Sequence, residues 1–227
     1  MAAEPMIIAL DGPAGSGKSS TATGLARRLG WLHLDTGAWY RVTALLGGRE
    51  DVDPADAVAL GRLLDRVDRA LAASDWPGEE PRRVLVDGED VTAAIRTPEV
   101  SASVSRYSRV PTVRERLNAG FRRLAARTRA PGVVAEGRDI TTVTFPDASL
   151  RVLLTATPQA RARRRAAQLG ETDVAGIARD IAERDRRDLA VVDFLTPAAG
   201  VVSLDTSELT LGQVIDRIVD LLPVDRR

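Results

Sequence analysis

Gly12-Pro13-Ala14-Gly15-Ser16-Gly17-Lys18-Ser19 fits the pattern G-x-x-x-x-G-K-S/T at every position. Such a run cradles a polyphosphate for physical reasons. Glycines tolerate positive φ, so successive amide N–H groups turn inward around one phosphate at the positive end of the following helix. Lys18 then reaches the β and γ oxygens, Ser19 offers its hydroxyl to Mg2+, and Ser20 adds a contact to the α-phosphate. The pattern therefore predicts an ATP-type site over Gly12 to Ser20, with Lys18 catalytic and Ser19 the metal ligand. An ordinary glycine turn would need neither the lysine nor the hydroxyl. The loop alone leaves open whether the phosphoryl goes to water, a protein or a small molecule.

Two further clusters point to an acceptor. Asp35-Thr36-Gly37-Ala38-Trp39-Tyr40-Arg41 follows an apolar run, which places a carboxylate, a hydroxyl and an arginine at the carboxyl end of a strand, where α/β sheets bind ligands. A helix from about Gly37 would set Arg41 one turn inside the cleft, its fork suited to a phosphate. The plainer alternative is a capping Asp35 and a solvated Arg41. Glu136-Gly137-Arg138-Asp139 follows another strand and opens onto the same edge, so Arg41 and Arg138 would face one phosphate. Asp139 can accept from the exocyclic amine of cytosine, where uracil offers only a carbonyl. Its alternative is a surface ion pair with Arg138. Arg161, Arg163, Arg164 and Arg165, then Arg179, Arg184, Arg186 and Arg187, lie on two helical stretches around Gly170. They suit a lid that closes over the triphosphate and excludes water. Asp180 with Arg184 and Glu183 with Arg187 stand at i,i+4 spacing, so about half of these arginines fit a solvated helix face instead.

The elements that must position these groups alternate. Strands are predicted at Met6 to Leu10, Trp31 to Leu34, Gly132 to Ala135, Leu150 to Thr155 and Val201 to Leu204, separated by helical patterning. That order predicts an α/β fold, a parallel doubly wound sheet of about five strands with helices on both faces. The first helix should run from Lys18 to Leu29 and stop at Gly30. Asp53-Pro54, Thr97-Pro98 and Thr157-Pro158 each read as a capping residue before a proline at the first helical position. The alternation breaks between Ala55 and Ala130, where a hairpin is expected from Arg82 to Val91 around Asp87-Gly88. Roughly 50–110 is thus expected to be an inserted lobe, and 158–190 the lid, within a single domain.

Composition narrows the partners. The 227 residues, 44% of them hydrophobic, suffice for one sizeable core, and Lys plus Arg balance Asp plus Glu at 32 each, so no excess charge favours a nucleic acid. With no cysteine and one histidine, His33, thiolate chemistry and histidine-rich metal sites are excluded and any metal must be held by oxygen. Met1 to Leu10 has no basic leader and its apolar run is too short for a membrane span, so a cytoplasmic protein is expected.

The chain closely resembles bacterial cytidylate kinases, of the nucleoside monophosphate kinase family, over nearly its whole length. The likeness is carried by Asp11 to Ser19, Leu34-Asp35-Thr36-Gly37-Ala38, Tyr40-Arg41, Gly88-Glu89-Asp90-Val91-Thr92, Ile95 to Val100, Glu136 to Ile140 and Phe145-Pro146-Asp147-Ala148. It implies a P-loop NTPase fold whose inserted lobe binds the monophosphate. It implies a cytosine pocket from Ser105, Arg114 and Asp139, a phosphate clamp from Thr36, Arg41 and Arg138, ribose contacts near Arg184 and Asp188, and a matching Arg96 in the lobe. The catalytic set would be Lys18, Arg138, Arg184 and Arg187. The implied reaction is ATP plus CMP or dCMP to ADP plus the diphosphate, with Mg2+, by a monomer, and positioning with charge stabilisation carries it.

Three departures stand out. Thr141 replaces a glycine and is expected to add a side chain near the acceptor. Trp39 replaces a smaller residue and is expected to reshape the cleft wall. The family's further arginine, a few residues beyond Asp188, is absent from Asp188-Leu189-Ala190-Val191-Val192-Asp193-Phe194-Leu195, with Arg186 or Arg187 as stand-ins. Competing readings are a P-loop kinase for UMP or a non-nucleotide alcohol, against which Ser105, Arg114 and Asp139 argue, and a nucleotide switch, whose N-K-x-D motif is missing.

Overall fold

The computed structural model describes residues 5–74 and 83–223. Five strands, β1 (Met6–Asp11), β2 (Leu32–Asp35), β5 (Gly132–Glu136), β6 (Leu150–Thr155) and β7 (Val202–Asp205), form one sheet in the order β2-β5-β1-β6-β7. Every pairing in it is parallel. The expected strands are all present; β1, β2, β5 and β7 each run one residue further, onto Asp11, Asp35, Glu136 and Asp205. The carboxyl edge of the sheet is thereby fringed with carboxylates.

Strand alternation divides the core. Ala9, Val133 and Ala135 face one cluster, which they share with α2 (Thr36–Arg49), α3 (Ala57–Ala72), α4 (Pro98–Ser108) and α5 (Pro111–Arg127). Ile8, Leu10, Val134, Val152 and Leu154 face the other, under α1 (Lys18–Leu29) and α8 (Leu211–Asp220). Both faces of the sheet are covered, as a parallel sheet requires. A third, small cluster of Ala166, Ile177 and Ile181 joins α6 (Pro158–Leu169) to α7 (Val174–Leu189), and Ala14 of the phosphate loop packs against it. The arginine-bearing helices thus rest directly on that loop.

Local signals explain most boundaries. Gly30 ends α1 at φ 65°, and Thr97 and Thr157 cap α4 and α6 through Val100 N and Ala160 N with proline next in line. Asp53 does not start α3. It closes a turn, accepting from Ala55 N at 3.0 Å, and Asp56 is the cap, accepting from Val58 N and Ala59 N. The helix begins where the apolar face Leu60, Leu63, Leu64 and Val67 can be buried. The short antiparallel pair β3 (Leu85–Val86) and β4 (Glu89–Asp90) turns at Asp87 and Gly88, both at positive φ; Arg82, the expected start of that hairpin, lies outside the described residues. Among the described residues no helix is long and apolar enough to cross a membrane.

Candidate active site

The phosphate loop leaves β1 at the centre of the sheet and enters α1. Gly12 sits at φ 148°, and a Cβ there would lie 2.1 Å from Leu154 O of the neighbouring strand, so only glycine fits. Gly15 and Gly17 also take positive φ. Lys18 Nζ donates to Pro13 O at 2.9 Å. Burial lowers its pKa to about 7, assisted by the positive charge of Arg138 and opposed by Glu136. The Ser16 hydroxyl is buried without a hydrogen-bond partner among the described residues.

Ser19 Oγ donates to Glu136 Oε2 at 2.7 Å. Because a carboxylate only accepts, His33 Nε2 is the donor to Glu136 Oε1 at 2.9 Å. Strand alternation creates this chain: His33 lies between the inward Leu32 and Leu34 of β2 and faces α1, while Glu136 is its register neighbour's next like-facing residue on β5. Neither His33 nor Glu136 was assigned a role from sequence, since their contacts span 103 and 117 positions. Among the described residues no three carboxylates or histidines cluster as a metal cage. A hydroxyl beside one carboxylate instead suits an oxygen-seeking ion that arrives with phosphate and water oxygens.

Across the loop, Arg138 reaches in from the end of β5. Its Nη1 donates to Gly12 O at 2.6 Å, and its Nη2 to Asp188 at 2.5 Å and Asp185 at 3.3 Å. Asp185, buried on α7, also accepts from Ala14 N at 2.9 Å and pairs with Arg161. Asp185, which no sequence motif marks, ties α6 and α7 to the phosphate loop. Arg184 stands 3.9 Å from Asp188, not with Asp180. Desolvation in the cleft, with the positive charges of Arg41 and Arg138, lowers its guanidinium to about 10, although its side chain keeps 47% of its surface open; it stays charged at neutral pH. Arg41 packs beside Gly37 on α2.

The expected base pocket comes together in part. Asp139 pairs with Arg114 of α5, not with Arg138, and both are largely withdrawn from water. Next to them the Tyr40 hydroxyl is buried with no hydrogen-bond partner among the described residues, and burial followed by the charge of Asp139 raises its pKa. A cavity of about 710 Å3 borders Arg114 and is walled by Pro111, Asn118, Val143, Ala190 and Val191. A π-helical turn, Ile140–Thr144, follows Asp139, an irregularity common at functional sites. Ser105 is half-buried on α4 and has no side-chain hydrogen bond among the described residues. Thr36 is buried, its hydroxyl on Glu136 O at 2.7 Å. Two expected residues are engaged within their own elements or next to them: Arg96 is exposed and bonds Thr92 O at 2.6 Å, and Arg187 meets Glu183. Arg164 is structural, gripping Thr206 at the β7–α8 loop.

Two departures resolve differently from expectation. Thr141 is held by Asp11: its amide and hydroxyl both donate to that buried carboxylate, at 2.8 and 2.6 Å. Asp11 also accepts from Ile140 N at 2.9 Å; burial raises its pKa against these bonds. Trp39 is 3% exposed and belongs to the apolar core rather than the cleft wall. Asp35 does cap α2, accepting from Ala38 N at 3.0 Å.

The family model described as cytidylate kinase matches residues 8–223. A cytidylate kinase of Cutibacterium acnes (strain DSM 16379 / KPA171202) is 46% identical over 233 residues, covering 100% of both chains. One of Azotobacter vinelandii (strain DJ / ATCC BAA-1303) is 42% identical over 224 residues, covering 96% of each. A bifunctional pantoate ligase/cytidylate kinase of Prochlorococcus marinus (strain MIT 9303) is 43% identical over 224 residues, and there the match takes in 96% of this chain but 45% of the relative. Among solved structures, an uncharacterized protein from Eubacterium ventriosum ATCC 27560 shares the fold, with a TM-score of 0.54 at 13% identity, covering 98% of this chain and 99% of that one. With its phosphate loop, arginine-lined cleft and full-length relatives all in agreement, the chain belongs to the cytidylate kinase family.

Proposed function

We propose that this kinase transfers the γ-phosphoryl of ATP to CMP or dCMP, releasing ADP and CDP or dCDP. The observation that carries the acceptor choice is the buried Asp139, paired to Arg114, which itself lines a cavity between α5 and the segment after α7. That carboxylate matches the exocyclic amine of cytosine, and the unpaired polar groups a uracil would leave make the pocket selective.

The loop amides and Lys18 hold the β and γ oxygens of the donor. Ser19, with Glu136 behind it, would hold a magnesium ion, which supplies charge neutralisation across those oxygens when bound. Arg41, Arg138 and Thr36 clamp the acceptor phosphate, while Arg184 and Asp188 meet its ribose. One acceptor oxygen attacks the γ-phosphorus in line as the bond to the bridging oxygen of ADP breaks. Positioning and positive charge lower the barrier, without a covalent intermediate. In this reading residues 50–110 form the acceptor lobe and 158–190 the lid, whose closure excludes water.

The test is ADP release with ATP and magnesium, comparing CMP, dCMP, UMP, AMP and no acceptor. Turnover confined to CMP and dCMP is expected. Equal use of UMP would overturn the role of Asp139, and ADP release without acceptor would overturn transfer to a nucleotide.

A further inference from the structure

Phe194 is 2% exposed, yet it joins none of the three apolar clusters that make up the buried core. Its neighbour Leu195 is 46% exposed, so the burial is particular to this one side chain. Against the ring lies a cation: Arg138 Cζ is 4.4 Å from the ring centroid. Both edges of that guanidinium are already engaged, one on Gly12 O and the other on Asp188 and Asp185. Hydrogen bonds at two edges leave rotation about the line joining them. A ring against the flat face removes that freedom, and exclusion of water strengthens the attraction.

We propose that Phe194 is a positioning residue for Arg138: its ring fixes the plane of the guanidinium before the acceptor phosphate arrives. The proposal rests on the reading that Arg138 grips that phosphate. It also explains a feature of the segment after α7. Residues 189–192 bring no arginine to the cleft, and Ala190 and Val191 line the cavity instead. A clamp with fewer cations gains most from holding each one preorganised, because less ordering is left to the moment of binding.

Steady-state kinetics with CMP and ATP varied separately test this on the full chain. Phe194→Leu keeps an apolar side chain and removes the π face; it should raise KM for CMP about tenfold while KM for ATP stays within about twofold. Phe194→Tyr, which keeps the face, should restore the wild-type value. On an Arg138→Lys background, Phe194→Leu should add less than about twofold, because no planar guanidinium remains for the ring to orient. Should the leucine variant fail to fold in a thermal melt, Phe194→Met makes the same comparison. An unchanged KM for CMP in the leucine or methionine variant, or the same penalty with and without Arg138, overturns the proposal. A wild-type protein that ignores CMP overturns the functional reading and this inference together, whereas a wild type that uses CMP while the variants are unaffected overturns this inference alone.

Discussion

Asp139 and Arg114, the pair to which the proposed selectivity is assigned, stand 25 positions apart. Asp139→Asn keeps the shape and loses the charge. Hydrogen bonds to charged groups contribute about 1.5–3 kcal/mol, so kcat/KM for CMP should fall by about 10- to 100-fold and the preference over UMP should narrow; competition assays with both acceptors measure it. The phosphate loop was legible in the sequence because its four fixed residues, Gly12, Gly17, Lys18 and Ser19, fall within eight contiguous positions. The partner of Asp139 was not. A local pairing with Arg138 is what neighbouring charges suggest, but the two side chains leave the end of β5 for different walls of the cleft. The same reason hid the environments of Thr141 and Trp39. Both sit in motif segments expected to line the acceptor, yet Thr141 turns its hydroxyl into Asp11, and Trp39 falls on the inward face of α2 beside Ala38 and Val42.

At the scale of elements, the sequence was most informative where capping residue, proline and apolar periodicity coincide, as at α4 and α6. At α3 they disagree. Asp53 and Asp56 are both competent caps, and the inward row from Leu60 to Val67 settles the start in favour of the second. Strand ends gave the opposite lesson. Polar residues signal a turn in a sequence, but Asp11, Asp35 and Glu136 still belong to the ladder, because parallel neighbours extend equally far. The turn that follows β1 is the sharpest constraint. Gly12→Ala would put a methyl group 2.1 Å from Leu154 O at φ 148°, and the loop must shift. A loss of roughly 2 kcal/mol or more is expected, together with weakened ATP binding; denaturant unfolding and nucleotide titration are the measurements.

For the molecule as a whole, Lys18 ties folding to pH. Its pKa is lowered to about 7 from the ordinary lysine value of 10.5, so between those values the unfolded chain binds more protons than the folded one. The penalty for the buried ammonium is full below pH 7 and fades as pH approaches 10.5; stability from this group therefore rises with pH across that window. Thermal melts without nucleotide should show this rise relative to Lys18→Met. Saturating ATP should flatten it, because the phosphates restore the charged form. The parallel sheet and its two covered faces followed from buried runs alternating with helices. The strand order, with β5 between β2 and β1, lay beyond the sequence, since nothing in a uniformly apolar strand names its neighbour.

Asp185 and Asp188 already neutralise Arg138 and Arg161, and Asp139 neutralises Arg114. The cleft thus carries its own counterions, and an arriving phosphate exchanges with carboxylates of the protein rather than with dissolved chloride. Few bulk ions are released on binding, so a plot of log KM for CMP against log salt concentration should have a slope of about 0.5 or less, well below one per phosphate contact. Asp188→Asn removes one internal counterion and should steepen that slope. An enzyme built this way works as a small ion exchanger, gripping a charged metabolite with nearly constant strength while the ionic strength around it changes.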